Sequence, residues 1–503
     1  MRPAQSGKDY LACRFLSTGG LVERGVRLRF ETWMPSSQRL GCGGIRVPMK
    51  TIGLSSGLRL VGLTASGRML LLASHLLLIP VLCQAQFNYS TNNGAITITQ
   101  YTGSGGTVSI PGTITGLPVT AIGPRTFDKR TDVTYVTIPK SVTHIGDGAF
   151  WGCSSLDRVT LPESLISIGV WAFHFCHGLH SIAIPNNVSS IGDSAFGACT
   201  NLAVFTVVPE NDSFSSADGV LFNKTQTQLV QYPAGKQGAF QIPGSVATIR
   251  NMAFTGCSGL TGVAIPDSVT NIGDHAFTGC GSLTGVTLGK NVTRIGSGAF
   301  YYCSGLTEIT VPSRVNAIGE LAFGYCTNLA AIQVDPLNAD FSASEGVLFN
   351  KTRTALLGYP GGKKGAYAIP DGVITIESRA FDGCFNLMEI TIPGSVTTIG
   401  SAFYGCKGLT RISIPEGVTT IDRTAFGRCA GLTNVTIAST VTNIGSAAFG
   451  FCVNLRAVHF LGNCPTVGRD LFERADNVIV YYQPGAIGWE STLCGRPTAL
   501  IKP

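Results

Sequence analysis

The sequence predicts a repeat solenoid, in which many small coils stack along one axis. First, the phrase Ile-Gly-x-x-Ala-Phe-x-x-Cys-x-x-Leu recurs along most of the chain. Second, its phenylalanine returns every 23 residues, apart from one step of 22 and two of 58. Third, a unit of this length cannot bury its own apolar side chains, so neighbouring units must cover one another. The repeat phenylalanines are Phe127, Phe150, Phe173, Phe196, Phe254, Phe277, Phe300, Phe323, Phe381, Phe403, Phe426, Phe449 and Phe472.

One unit shows how each coil is built. The apolar positions of residues 260–265 predict a short strand, which Pro266 ends because proline cannot donate a ladder hydrogen bond. Residues 269–272 predict a second inward-pointing edge, and Gly273 predicts a tight turn. The Ala-Phe pair that follows predicts a short helical turn with its ring in the interior.

The repeat resembles a known family. With its Ile-Pro-x-Ser-Val-Thr beginning, as in residues 265–283 and 392–409, it is similar to the BspA-like leucine-rich repeat proteins, a largely bacterial group of secreted and cell-surface proteins. The resemblance covers roughly residues 86–503. It implies a leucine-rich-repeat-like, right-handed stack of coils of about 23 residues, β-rich with short helical turns and capped at both ends. It also implies an interaction or adhesion module without catalytic residues.

The N-terminal region differs from the repeats. Residues 69–82 form an apolar stretch preceded by Arg59 and Arg68 and followed by Cys-Gln-Ala, which is typical of a signal peptide. We therefore interpret 49–85 as the signal region, with Met49 or Met69 as initiator, and 1–48 as a non-native or disordered extension. The apolar stretch is too short for a transmembrane helix. The pattern predicts a secreted or cell-surface protein without a transmembrane span in the mature chain.

The rest of the chain divides into a predicted N-terminal β cap (86–122), a solenoid (123–455) and a C-terminal cap (456–503). Variant inserts are predicted at 208–242 and 335–369, within the two 58-residue steps. Their sequences at 211–225 and 338–352 resemble each other at an offset of 127 residues, which indicates duplication of a whole block. Each insert is predicted to be a β hairpin or an enlarged coil.

Two surfaces are candidates for partner binding. The inserts would present contact residues at Tyr232, Lys236, Tyr359, Lys363 and Lys364, unless they are only variant coils. The outward face of the predicted strands carries small and hydroxylic residues, which include Thr287, Thr310, Thr391 and Thr436. Such a face could bind a protein or a repeating polysaccharide through many weak contacts, although strand propensity alone also explains threonines there. Because we find no row of aromatic residues on this face, we prefer a protein partner.

The net charge of +7 is concentrated outside the repeats. Residues 1–85 contain 11 of the 36 lysines and arginines but only 3 of the 29 acidic residues. The remainder is nearly neutral, with 25 basic and 26 acidic residues. A nucleic-acid-binding groove is therefore not expected.

The 16 cysteines do not have the spacing of a disulfide framework. Eleven lie three residues after a repeat phenylalanine, where stacking would make their Cβ vectors parallel and unsuited to bridging. We predict buried free thiols there, which pack as small hydrophobes. Cys464 and Cys494 lie outside this ladder, and a disulfide between them would fix the predicted C-terminal cap.

Catalytic and metal-binding patterns are scarce. His174, His177 and His180 surround Cys176, but exposed turn histidines are favoured over a zinc site. No nucleophile elbow or phosphate-binding glycine loop is found, so we expect no enzyme, cofactor or metal. The sequence predicts a secreted or surface-displayed recognition or adhesion module, which binds a protein or extracellular matrix partner through the solenoid face. The alternative is a carbohydrate-binding or structural extracellular protein.

Overall fold

The structure is a computed structural model that describes Phe15–Leu16, Arg29–Phe30 and residues 86–502. The chain forms two compact units, 1–69 and 70–503. In the first unit, Phe15–Leu16 and Arg29–Phe30 form an antiparallel pair. The rest of the predicted extension and the whole predicted signal region lie outside the described residues.

The second unit is a β-solenoid of about 17 turns of about 23 residues, which confirms the predicted solenoid. The expectation of short helical turns is wrong, because the described residues contain no helix and hence none that could cross a membrane. Single turns form instead: the Cys280 N–H donates to the Phe277 carbonyl and the Leu283 N–H to the Cys280 carbonyl. A residue in the left-handed region, such as His275 at φ 55°, interrupts any helical course in this coil.

Each coil contributes one long strand, and these strands pair in parallel in six groups. Val136 lies opposite Val159, for example, so that equivalent residues of adjacent coils lie side by side. The long strands are Gly106–Ser109, Val133–Thr137, Arg158–Thr160, Ser181–Ile184, Val204–Val207, Gly238–Gln241, Leu260–Ala264, Gly285–Thr287, Glu308–Val311, Ala331–Val334, Gly365–Ala368, Leu387–Thr391, Arg411–Ile414, Asn434–Ile437, Ala457–Phe460, Ile479–Tyr482 and Arg496–Leu500. We call their outer surface the long-strand face.

A second set of parallel strands, all but the first only two residues long, forms what we call the short-strand edge. Its members are Leu117–Ile122, His144–Ile145, Ser167–Ile168, Ser190–Ile191, Thr248–Ile249, Asn271–Ile272, Arg294–Ile295, Ala317–Ile318, Thr375–Ile376, Thr398–Ile399, Thr420–Ile421, Asn443–Ile444 and Thr466–Val467. The tight turns that carry the repeat phenylalanines form the third side of each coil, the turn edge.

Antiparallel strands occur near both ends of the stack. Phe87–Asn92 pairs with Ala95–Tyr101, which in turn pairs in parallel with Leu117–Ile122. Thr113–Ile114 also folds back antiparallel on Leu117–Ile122. At the other end, Thr492–Leu493 pairs antiparallel with Arg496–Leu500. The predicted limits of the two caps stay predictions.

Ladders of identical residues fill the interior. Phe150 and Phe173 stack with ring centroids 4.9 Å apart and an interplanar angle of 4°. The Phe150 N–H donates to the Ala172 carbonyl of the next coil at 2.7 Å. All eleven repeat cysteines are buried free thiols, and that of Cys176 donates to the Phe150 carbonyl at 3.2 Å. Each coil is thus held to the next by rings, main chain and thiols together.

The inserts divide the interior into three hydrophobic cores. In the first insert, Leu221 packs into the preceding core and Phe222 into the following one. In the second, Leu348 and Phe349 divide in the same way. Each insert is thus a small β-sheet that separates two hydrophobic cores and packs one apolar face against each of them. The insert strands are Phe214–Ala217, Val220–Asn223 and Gln228–Gln231 in the first, and Phe341–Ser344, Val347–Asn350 and Ala355–Gly358 in the second.

Candidate interaction surfaces

The long-strand face is of mixed charge. Its charged side chains include Arg158, Glu308, Glu389 and Arg411, two of each sign, and all are exposed. Near the last coils it also carries an aromatic pair: His459 and Tyr481 lie opposite each other in register and stack with centroids 4.9 Å apart. This pair is half-exposed, beside the exposed Ile479.

The four predicted threonines all lie in long strands, but the structure does not bring them together. Thr287, Thr310 and Thr391 are exposed, and Thr436 is half-buried. Thr391 pairs with Ala368, whereas Thr436 pairs with Ser413 and His459. The four side chains are therefore spread along the face rather than clustered in one site. Their role in binding stays a prediction.

Threonines of the short-strand edge have a structural task. The Thr143 hydroxyl donates to the Thr120 carbonyl at 3.2 Å, one coil away. Thr293 donates to Thr270 in the same way at 3.0 Å. These bonds satisfy backbone acceptors between coils, which accounts for threonine at this position without any ligand.

The prediction that Tyr232 and Tyr359 protrude as contact residues is wrong. Both are buried, with exposed fractions of 1% and 5%. Tyr232 stacks on Phe254 and Tyr359 on Phe381, each at a centroid distance of 4.9 Å. Each is the first ring in the stack of aromatic side chains that follows its insert. Burial of such a large aromatic side chain stabilises the fold, which favours the interior over the surface.

The insert lysines lie at the surface. Lys236 Nζ donates to the Asp218 carboxylate and carbonyl at 2.7 and 2.6 Å. Lys363 donates to the Glu345 carbonyl at 2.7 Å, whereas Lys364 is exposed. The first two hold the insert together, and a contact role for any of the three stays a prediction.

The remaining sequence candidates are dispersed. Cys464 is half-buried and Cys494 exposed, and both are free thiols in this structure; their disulfide stays a prediction. His174 is buried rather than exposed, and loss of solvation lowers its pKa to about 3. Its ring lies 3.2 Å from the Ser194 hydroxyl, so it is a neutral core group. Within the described part of the chain, no three metal-ligating side chains converge.

One feature of the turn edge escaped the sequence analysis. Aromatic and basic side chains cluster across the turns of six coils, on both sides of the second insert. Tyr302 stacks on Tyr325 with centroids 4.4 Å apart, and Tyr325 meets Phe385 edge-on at 5.7 Å. Lys407 Nζ lies 4.9 Å from the centre of the Phe385 ring. We call this surface the aromatic-basic strip; its members are Tyr301, Tyr302, Tyr325, Phe385, Tyr404, Lys407, Arg428 and Phe451.

A signal for this strip is present in the sequence. The two residues between the repeat phenylalanine and cysteine are small in some coils, such as Thr-Gly before Cys257 and Cys280, but are Tyr-Tyr before Cys303 and Gly-Tyr before Cys326. In the sequence this segment reads as a generic turn, and these substitutions were not predicted to form a site. The contact between Tyr325 and Phe385 spans the second insert and could not be read from the spacing of the residues.

Comparison with known proteins agrees with this architecture. A model of the BspA type leucine-rich repeat region matches residues 120–237, 232–344 and 365–479, whereas no curated protein matches the sequence. A leucine-rich cell surface protein of Faecalibacterium prausnitzii is 31% identical, over 75% of this chain and 94% of its own, with a TM-score of 0.41. A leucine-rich repeat protein of Eubacterium ventriosum is 26% identical, over 67% and 91%, with a TM-score of 0.42. The chain belongs to the BspA-type leucine-rich repeat family.

Proposed function

We propose that this protein is a non-catalytic recognition module on the cell surface or outside the cell, which binds a protein or matrix partner through its long-strand face. Family membership supports a repeat protein that acts by binding. The cell-surface description of the similar Faecalibacterium protein supports the location. The threonine-lined face as a polysaccharide site has less support, since its threonines are dispersed.

The observation that carries the proposal is the apolar centre formed by His459, Tyr481 and Ile479. It has the composition of a protein-binding hot spot, because tyrosine supplies a large, rigid contact area that loses little entropy on binding. Two polar residues of the preceding coil, Asn434 and Thr436, border it on one side. An apolar centre with a polar rim is the usual anatomy of a protein interface.

The test uses the full chain as bait against extracellular extract, followed by affinity measurements with the purified partner. Tyr481→Ala should weaken binding about tenfold or more, as expected for a hot-spot residue. The matched comparison is the double variant Lys363→Ala/Lys364→Ala, which alters the second insert and should leave affinity within about twofold. If the lysine variant loses binding and Tyr481→Ala does not, the inserts are the contact surface and the proposal fails.

A further inference from the structure

We propose that the aromatic-basic strip on the turn edge binds a linear acidic polysaccharide that lies across the coils. The strip is a different surface from the long-strand face, so this inference is independent of the partner proposed above. It rests on the charge of the strip, the rigidity of its rings and the hydrogen bonding of its backbone.

The positive charge of the strip comes from Lys407 and Arg428. Lys407 is exposed and Arg428 half-buried, and neither forms an ion pair within the described residues. In the turn segments 301–306, 324–329, 382–387, 404–409, 427–432 and 450–455 the only acidic residue is Asp382. It is buried and paired with Arg379 at 3.2 Å. Carboxylate or sulfate groups would therefore meet two unpaired cations at Lys407 and Arg428, whereas the exposed Glu320 and Glu473 lie in neighbouring turns.

The rings of the strip are half-exposed but held in place by one another. Tyr301 contacts both Tyr302 and Tyr325, with centroids 4.6 and 5.4 Å apart. Arg428 lies 5.3 Å from the centre of the Phe451 ring, which is 36% exposed. Because these side chains are already ordered, a ligand gains apolar contact at little cost in conformational entropy. Pyranose rings have apolar C–H faces that pack on aromatic rings, and their substituents supply the negative charge.

The backbone of the strip favours a saccharide over an extended peptide. The Tyr302 N–H donates to the Gly324 carbonyl at 3.0 Å, and the Gly405 N–H to the Gly427 carbonyl at 2.8 Å. Arg428 donates in the same way to Gly450. These amides are used between coils, so they cannot pair with the main chain of a bound peptide. A ligand must therefore be recognised by the side chains, which are spaced one coil apart. Repeated weak contacts at this spacing suit a linear polymer.

The repeat itself does not require these side chains. In other coils the equivalent positions carry small residues, Thr255 and Gly256 in one coil and Thr278 and Gly279 in the next. Those coils stack with the same geometry, since Phe254 and Phe277 lie 4.5 Å apart. The rings and cations of the strip are therefore additional to what the solenoid needs for stability.

The test measures binding of the full chain to polygalacturonate, with uncharged dextran and poly-glutamate as the comparison polymers. The double variant Lys407→Ala/Arg428→Ala should weaken binding to polygalacturonate about tenfold at low salt, because two charge contacts are lost. Phe451→Asn tests the contribution of an aromatic ring to binding. Asparagine is chosen because residue 451 has a positive φ, which asparagine tolerates. Lys140→Ala/Arg353→Ala is the matched control, because it removes two exposed positive charges elsewhere and should change binding less than about twofold.

Binding to polygalacturonate but not to dextran, lost in the strip double variant and kept in the control, would support the proposal. Lys407→Arg/Arg428→Lys should retain binding, which separates a charge effect from misfolding. The proposal is overturned if polygalacturonate does not bind, if both double variants lose binding equally, or if poly-glutamate binds as tightly. The last result would point to an acidic peptide or to charge alone.

Discussion

The two inserts have similar sequences, but the junctions that they form between the coils on either side differ in packing and in charge pairing. In both, a buried asparagine anchors the insert to the coil before it. Asn211 Nδ2 donates to the Pro185 and Val188 carbonyls at 2.7 and 3.0 Å, and Asn338 Nδ2 makes the equivalent bonds at 2.8 and 2.9 Å. The similar insert sequences thus make the same asparagine hydrogen bonds, and the differences come from the coils on either side and from Gly358, which stands in the second insert where the first has Gln231.

The first junction is well packed and carries paired charges. Arg250 and Asp193 form an ion pair at 2.8 Å across the insert. The buried Gln231 amide donates to the Ala253 carbonyl at 2.9 Å. The Ala198 N–H donates to the Thr255 carbonyl at 3.0 Å. The coils before and after the first insert are therefore joined by an ion pair, a buried side chain and a main-chain hydrogen bond.

The second junction lacks the ion pair and the glutamine, and its main-chain hydrogen bond is longer. At the positions 127 residues on, Glu377 and Glu320 stand where the first junction has Arg250 and Asp193, and Gly358 stands where it has Gln231. A cavity of about 30 Å³ lies beside Gly358. The Tyr325 N–H reaches the Asp382 carbonyl only at 3.4 Å. We infer that the two junctions of this solenoid differ in stability, and that the second is the less stable.

The largest expected effect tests what the junctions share. Asn338→Ala and Asn211→Ala should each destabilise their junction by about 3 kcal/mol or more, because four hydrogen bonds of a buried amide are lost and backbone groups are left unsatisfied. Native-state hydrogen exchange of the insert amides measures the local free energy of opening. Asn328→Ala, an exposed asparagine, should change it by less than about 0.5 kcal/mol. Unequal losses at the two junctions would show that the inserts are not equivalent.

The next effect is a pH dependence confined to the second junction. Burial raises the pKa of Asp382 from its ordinary value of 3.8 to about 6, against the opposing effect of Arg379. Because the folded state holds this proton more tightly than the unfolded state, stability falls as pH rises from about 4 to 6 and is constant above. The loss is of the order of 2 to 3 kcal/mol.

Asp382→Asn should remove this decline, as measured by the free energy of unfolding across pH 3 to 8. The first junction has Thr255 at the position equivalent to Asp382, and hydrogen exchange there should not follow the same pH profile. A wild-type stability that rises between about pH 4 and 6 at the second junction would contradict this account.

A smaller effect should follow from exchanging the charges. Glu377→Arg, which introduces an arginine opposite Glu320 in the second junction, should stabilise it by about 0.5 to 1 kcal/mol. Arg250→Glu should weaken the first junction by a similar amount, because it places a glutamate beside Asp193. Both changes should shrink in 1 M salt, since these side chains are partly exposed. Thermal unfolding at low and high salt gives the comparison.

The smallest effect concerns the cavity. A Cβ placed on Gly358 would lie 3.9 Å from Ile332 Cδ1, at ordinary contact distance. Gly358→Ala should therefore stabilise the protein by about 0.5 kcal/mol, through contact and through reduced freedom of the unfolded chain. Gly383→Ala is the opposing control: this residue has φ 76° and its Cβ would lie 2.8 Å from the Tyr325 ring. It should destabilise, and chemical denaturation of the two variants would show opposite signs.

The 23-residue period was sufficient to predict the solenoid, its ring ladder, its buried thiols and the duplicated inserts. These features follow from the spacing of residues such as Phe150 and Cys153, because stacking places equivalent residues of adjacent coils side by side. The period also predicted the long-strand face, although it could not select a site among its threonines.

Other features depend on contacts between residues far apart in the chain. Tyr232 and Tyr359 are buried because the end of each insert leads the chain back to the stacked phenylalanine rings. The polar residues that flank these tyrosines along the chain gave no sign of this. Tyr325 meets Phe385 across an insert, and Gly358 leaves a cavity only because of the coil opposite. A periodic pattern specifies which residues repeat, whereas packing across an interruption depends on the volumes and charges that meet there.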